Sequence, residues 1–369
     1  MSCTCSRAGS PENAKSNQET RPKIRTLKPV DEEPMIGETP ASALNSWLTP
    51  NPLFYIRNHF PFPSVSDVSE STWKIGVDGT VCNPHELRFG DLLNLPRRTL
   101  AVTMECAGNN RRDLEPTVPG NQFDTGAVST AVWTGASLAD VLHTADLNPG
   151  SVEILFEGAD SGEPEPGKEI QSYLRSLPIE IAMHPDTIIA YEMNGEPLTV
   201  EHGAPVRLVV PGWYGMASVK WLQRITVLTK PFKGYFQTYK YVVRYQDGNE
   251  RPVREMQVKS FISSPRHKSI LKGGSICLSG FAWSGRSEID QVELSADGGH
   301  SWESADLLGP STRYSWQQWN YRWGPAKRGH HTIISRARDS RGNLQPMRSV
   351  WNELGYEVNG ATSLCLDVL

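Results

Sequence analysis

Apolar residues first gather into a dense pattern at 51–63, "NPLFYIRNHFPFP". Residues 1–45 mix Ser, Pro, Glu, Lys and Asn with no apolar period, which predicts a flexible N-terminal tail. From there to about 250, short apolar runs alternate with turns. "VEILFEG" (152–158), "TIIAYEMNG" (187–195), "PVRLVVPG" (205–212) and "KWLQRITVL" (220–228) read as strands, and Asn194-Gly195 marks a turn between two of them. Helical spacing is clearest in "SLADVLHTADL" (137–147). There Leu138, Val141, Leu142 and Ala145 form one stripe, and Ser137 and Asp140 have the spacing of a capping box. Short strands with few helices and no regular alternation predict an α+β domain over 46–250, not a doubly wound sheet.

The pattern changes after about 250. "SICLSGFAWSG", "EIDQVELSADGGHSW", "YSWQQWNYRW" and "HHTIISRARDSRGN" are short strand-like runs broken by Asp297-Gly298-Gly299 and Arg341-Gly342-Asn343. Such spacing, with tryptophans to bury, predicts an immunoglobulin-like β-sandwich over 251–369.

A length of 369 residues accommodates two such domains. The 37 basic and 41 acidic residues give a formal charge of −4, which argues against a nucleic-acid binder. No apolar run is long enough for a membrane-spanning helix. The N-terminus has neither an apolar signal core nor a twin arginine, so the expected compartment is cytoplasmic, or periplasmic if a signal has been removed. The six cysteines are scattered, without zinc spacing, and predict reduced thiols rather than a disulfide framework.

Candidate chemistry begins at "AVTMECAGNNRRD" (101–113), where a strand-like run ends in Cys106. Ala107 and Gly108 leave room for something bulky near the sulfur, and Arg111 and Arg112 would lower the thiol pKa if they face it. The thiol is a nucleophile, a soft metal ligand or a buried structural cysteine. No cysteine–histidine signature links it to His59, His143 or His202. In "YIRNH" (55–59), Arg57 and His59 share one side of an extended strand, as an anion clamp or as a surface pair. In "EHGAPVRLVVPGWYGMASVKWL" (201–222), His202, Arg207, a glycine-rich loop, Ser218, Val219 and Lys220 suit an anionic group such as phosphate. There is no Walker A or GxGxxG spacing. The aromatics of "GYFQTYKYVVRY" (234–245) read mainly as packing at a domain junction.

In this order, these segments resemble the sulfite oxidase family of molybdenum enzymes, over roughly residues 50–360. "YIRNHFPFP", "ECAGNNRR", "TGAVSTAVWTGASLADVL", "FEGADS", "AYEMNGEPL" and "HGAPVRLVVPGWYGMASVKWL" follow its central domain, and "GFAWSG", "VELSADGGHSW" and "DSRGNLQP" its dimerisation domain. The resemblance implies a mixed-sheet molybdopterin-binding domain followed by an immunoglobulin-like sandwich that makes a homodimer. It implies that Cys106 is the one protein ligand to molybdenum, beside a pyranopterin dithiolene. Tyr55, Ile56, Arg57, Asn58, His59, Asp160, His202, Arg207, Ser218, Val219 and Lys220 match cofactor-holding positions. Arg57, His59, Arg111 and Tyr241 match the catalytic set, with Tyr239 competing for the tyrosine's place.

The implied reaction is oxidation of sulfite, a small dianion, to sulfate by oxygen-atom transfer. Electrons would pass to a separate acceptor such as a cytochrome or oxygen, because no haem domain or CxxCH accompanies these motifs. Two positions depart from the animal and plant pattern: Phe123 replaces a pocket tryptophan and Leu354 an arginine. They keep open another sulfur or oxyanion substrate, as in a sulfane sulfur dehydrogenase or a sulfoxide or nitrate reductase.

Overall fold

The computed structural model describes residues 26–369. It is mostly β, with short helices at strand ends. Two five-stranded sheets build the first unit. One is antiparallel, in the order Glu196–Pro197, Ile188–Met193, Val128–Ser137, Arg97–Glu105, with Arg207–Val209 also pairing to Ile188–Met193. The other runs His85–Arg88, Lys74–Gly79, Leu222–Leu228, Glu153–Gly162, Gln171–Pro178. It is mixed, because Lys74–Gly79 and Leu222–Leu228 are parallel.

Alternation in the strands sets the core. Ile154 and Phe156 on one strand, and Leu222, Ile225 and Val227 on its neighbour, are fully or almost fully buried and pack in one cluster. Each such side chain contributes roughly 1.5–3 kcal/mol. Val128–Ser137 is buried along nearly its whole length and so carries apolar or small residues on both faces. The helix Leu138–Ala145 follows it directly, with Leu138, Val141, Leu142 and Ala145 inward as their spacing predicts. The expected capping box is absent: the Ser137 side chain makes no cap hydrogen bond, and its Oγ has no partner. Ser137 is the last residue of the strand, and the Leu138 N–H goes to the Thr187 carbonyl at 2.8 Å instead.

The chain from Lys259 onward forms the sandwich. A four-stranded sheet (Lys259–Ser264, Gly274–Trp283, Gln317–Ala326, Asp306–Leu308) faces a five-stranded one (Ser269–Leu271, Ser363–Val368, Gly329–Asp339, Ile289–Ser295, Glu303–Ser304). Leu278, Val292, Trp319, Ile333 and Leu366 fill the space between them. At the end of Gly274–Trp283, Phe281 and Trp283 join the core of the first unit instead, with Phe281 stacked on Trp316 at 4.3 Å.

The tail expectation is corrected for the described part of 1–45. Lys28–Asp31 and Ile36–Glu38 form an antiparallel hairpin. Gly37 exchanges backbone hydrogen bonds with Ile56, and the Thr39 N–H reaches the Gly126 carbonyl at 2.9 Å. The hairpin thus buttresses the 54–59 segment. Residues 1–25, with Cys3 and Cys5, lie outside the described residues. A Cβ at Gly126 would lie 2.1 Å from the Thr39 carbonyl oxygen. Gly126→Ala is therefore expected to lift the arm at a cost of about 1–3 kcal/mol, seen as faster proteolytic cutting within residues 28–45. Among the described residues no helix is long and apolar enough to cross a membrane.

Candidate active site

The strand Arg97–Glu105 delivers Cys106 into a cavity, and the Cys106 N–H still pairs with the Ala127 carbonyl at 2.8 Å. The two asparagines of the motif then turn the chain. Asn109 donates to Glu105 Oε1 at 3.0 Å and accepts the Ala127 N–H at 3.1 Å. Asn110 takes the left-handed conformation (φ 61°) that asparagine tolerates, and starts the 3-10 turn Arg111–Asp113. Burial pushes the Cys106 thiol up from its ordinary pKa, while Arg57 and Arg111 pull it the other way.

Tyr55, Arg57, Asn58 and His59 form one wall. The segment makes a single bridge, Ile56 with Gly37, rather than the extended strand expected. Arg57 and His59 still meet, with Arg57 Nη2 at 3.2 Å from His59 Nδ1. His59 Nε2 lies 2.6 Å from the Tyr241 hydroxyl. These contacts assign the protons. Arginine can only donate, so Nδ1 accepts and Nε2–H donates to the Tyr241 oxygen. Burial, then Arg57, hold the His59 pKa well below its usual value, which keeps the ring neutral. The Tyr241 proton is left free for whatever occupies the cavity.

Tyr241 follows the single π-helical turn Tyr235–Tyr239 and has φ 56°, unusual for an aromatic residue. That backbone turn points it inward. Tyr239, the competing residue, is 47% exposed and packs against Tyr235, Lys240 and Arg244.

The opposite wall carries His202, Arg207, Ser218, Lys220 and Asp160. Arg207 Nη1 donates to the His202 carbonyl at 3.1 Å and Nη2 to the Ser218 carbonyl at 2.9 Å. Lys220 Nζ donates to the Glu201 carbonyl at 2.9 Å and to Asn58 Oδ1, which ties the two walls together. Burial brings His202 down to about 4, and its Nε2 bonds the Asn51 carbonyl at 3.0 Å. Burial lifts Asp160 to about 7 against the pull of Lys220, and lowers Lys220 well below its usual range.

A model described as "Oxidoreductase molybdopterin binding domain" matches residues 59–236, and a "Mo-co oxidoreductase dimerisation domain" matches 250–360. The chain is 35% identical to the sulfite oxidase of Arabidopsis thaliana, covering 90% of this chain and 92% of that protein. The chain belongs to the sulfite oxidase family. It is 34% identical to the mitochondrial sulfite oxidase of Mus musculus over 91% of its own length, but spans only 64% of that protein. Among solved structures, the sulfane dehydrogenase SoxCD from Paracoccus pantotrophus superposes with a TM-score of 0.81 at 28% identity, covering 97% of this chain and 93% of that one.

The donor set fits the molybdenum cofactor of a sulfite oxidase family protein. Among the described residues, no group of three or more His, Cys, Asp or Glu side chains could cage a metal ion. A metal at Cys106 therefore needs ligands from outside the protein, as a dithiolene provides. Arg207 and Lys220 suit its anionic groups, and Gly215 packs so close to Tyr55 that a Cβ would lie 2.5 Å from the hydroxyl.

Several expected positions lie elsewhere. Ile56 and Val219 are buried in packing and do not line the cavity. Arg111 does not line it either: it donates to the carbonyls of Asn121 at 2.9 Å and Leu354 at 3.2 Å, under the Tyr356 ring. Gly108 makes room for that guanidinium rather than for a ligand, since a Cβ there would sit 2.6 Å from Arg111 Nη2. Arg112 is exposed and faces Asp124. Phe123 is fully buried, in one cluster with Tyr55, Met104 and Cys106, and does not itself line the cavity.

Tyr173, which sequence reasoning missed, lines the cavity and stacks on His59 with centroids 5.3 Å apart. Two residues on, Arg175 lies against Tyr241. Their spacing in "QSYLRSLP" marks one strand face, but nothing in the sequence tells which way that face looks.

Proposed function

We propose that this protein is a molybdenum-dependent oxidoreductase that converts sulfite to sulfate and passes electrons to a separate acceptor such as a cytochrome or oxygen. The reading is carried by one observation: the Cys106 thiol shares a cavity with Arg57 and with a Tyr241 hydroxyl whose proton is free. When bound, the molybdenum cofactor supplies oxygen-atom transfer and takes up two electrons. Cys106 anchors it, and Arg207, Lys220, His202, Asn58, Ser218 and Asp160 hold its polar groups. Arg57 binds the oxyanion through paired N–H donors and stays charged throughout. Tyr241 donates its proton to an oxygen of the substrate, and His59, kept neutral, holds the phenol in place. A homodimer through the sandwich follows from the dimerisation domain.

The test is sulfite turnover by purified protein of measured molybdenum content, with cytochrome c, oxygen and ferricyanide compared as acceptors. No turnover on metal-replete protein would refute the substrate. Leu354, standing where the animal and plant pattern has an arginine, favours one second reading, a sulfane-sulfur substrate. A panel including thiosulfate-derived persulfides separates the two. Tyr241→Phe is expected to keep molybdenum and lower kcat roughly tenfold, the worth of one hydrogen bond made to a charged group. Tyr239→Phe should match wild type in the same assay.

A further inference from the structure

Arg175 is a charge buried outside the cavity wall. It is 2% exposed on the strand Gln171–Pro178, behind the cavity rather than in its wall. No salt bridge reaches it among the described residues. Glu153 acts on it only weakly, after Tyr173, Tyr241 and Tyr356, and that carboxylate already accepts from Ser176 Oγ at 2.7 Å and Phe232 N at 2.8 Å. Arg175 Nη1 donates to the Phe236 carbonyl, and Nε has no partner. Burying a cation without a counter-charge is costly, and arginine does not escape by losing its proton. Such a charge persists where an anion offsets it.

The geometry shows where that anion would sit. The Arg175 Cζ lies 5.5 Å from the centre of the Tyr241 ring, on a residue whose hydroxyl faces the cavity. Tyr241 also stacks on Tyr356 at 5.2 Å, and Arg111 lies 5.2 Å over Tyr356. The tyrosine pair thus carries a cation on each member, with Arg57 in the cavity wall. The field of Arg175 also lowers the His59 pKa, so it is felt at the site.

We propose that Arg175 is a specificity-determining residue of the cavity: a buried, unpaired cation behind Tyr241 that selects doubly charged oxyanions over singly charged ones. It acts by charge across the Tyr241 ring and does not touch the substrate. The inference rests on the anionic-substrate reading above, but extends it to the charge state preferred.

Coulomb energy scales with the charge of the ligand, so loss of Arg175 weakens a dianion about twice as much, in free energy, as a monoanion. The test is calorimetric titration of the molybdenum-loaded protein with sodium sulfate and sodium nitrate at fixed ionic strength. Arg175→Gln removes the charge and keeps a polar side chain; Arg175→Lys keeps the charge. In the Gln variant the sulfate Kd is expected to rise roughly tenfold and the nitrate Kd roughly threefold. The Lys variant is expected to stay near wild type for both. Equal changes for the two anions, or none, overturn the proposal, as does a Lys variant that fails like the Gln variant. Should the Gln variant not fold, a Lys variant that loses its preference for sulfate over nitrate still refutes it, and one that keeps it supports it. Wild type that binds sulfate through Arg175 but does not turn over sulfite leaves this inference standing and removes the substrate assignment. Turnover with an unchanged sulfate Kd in the Gln variant does the reverse.

Discussion

Cys106→Ser is expected to leave the protein folded and empty it of molybdenum. The two side chains are nearly isosteric, and the site is a buried junction of Tyr55, Met104 and Ala127 in which an oxygen fits where the sulfur stood. Stability should change by about 1 kcal/mol or less. Metal retention should collapse, because a thiolate is a soft ligand and a serine hydroxyl is not. Nothing nearby can take over: the described residues offer no other cluster of metal-binding side chains. Burial raises the thiol pKa while Arg57 and Arg111 pull it down, and a bound metal would favour the thiolate. Turnover should fall by at least about a thousandfold, on the order of 4 kcal/mol in the barrier. Elemental analysis alongside the thermal midpoint checks both halves. Molybdenum bound at wild-type stoichiometry in the serine variant would remove Cys106 from its assigned role.

How much of this could be read beforehand differs from element to element. The strands over 153–162, 188–193, 207–209 and 222–228 follow from local alternation, and the helix Leu138–Ala145 from local period. Cys106 stood out because a strand-like run ended on it. The hairpin at 28–38 was illegible for a physical reason: it is held by backbone pairing to Ile56 and Gly126, distant in sequence, with Ile36 as its one deeply buried apolar anchor. The direction of Arg111 was likewise hidden. The resemblance implied a charge in the catalytic set, whereas Gly108, Gly120 and Gly355 form the slot that receives it. The resemblance favoured Tyr241 over Tyr239, but the positive φ of Tyr241 is one that no propensity foretells. Arg175 became visible only once the strand's facing was known.

The second large effect concerns stability, and it starts one residue before the cysteine. Glu105 and Lys259 are each about 1% exposed and lie 2.9 Å apart, joining the catalytic sheet to the first strand of the sandwich. Neighbouring groups hydrogen-bond both partners further. Glu105 also accepts from Asn109 at 3.0 Å and from Trp283 Nε1 at 2.9 Å, and Lys259 donates to the Val358 carbonyl at 2.9 Å. Burying two charges costs several kcal/mol each, which the pair offsets only while both partners are present. Glu105→Leu leaves an ammonium group with no counter-charge, and Lys259→Met leaves the carboxylate with neutral donors alone. Each should cost about 3–5 kcal/mol. The double variant Glu105→Leu, Lys259→Met removes both charges and should be more stable than either single variant, since no ion is then stranded. Chemical denaturation of the four proteins measures that coupling. Strictly additive losses would mean the two side chains are held by their neighbours and not by each other. Because Glu105 is joined to Cys106 and fixes Asn109 in the turn after it, the Glu105→Leu variant should also retain less molybdenum. The double variant should recover stability without recovering all of the metal, because Asn109 has still lost its acceptor.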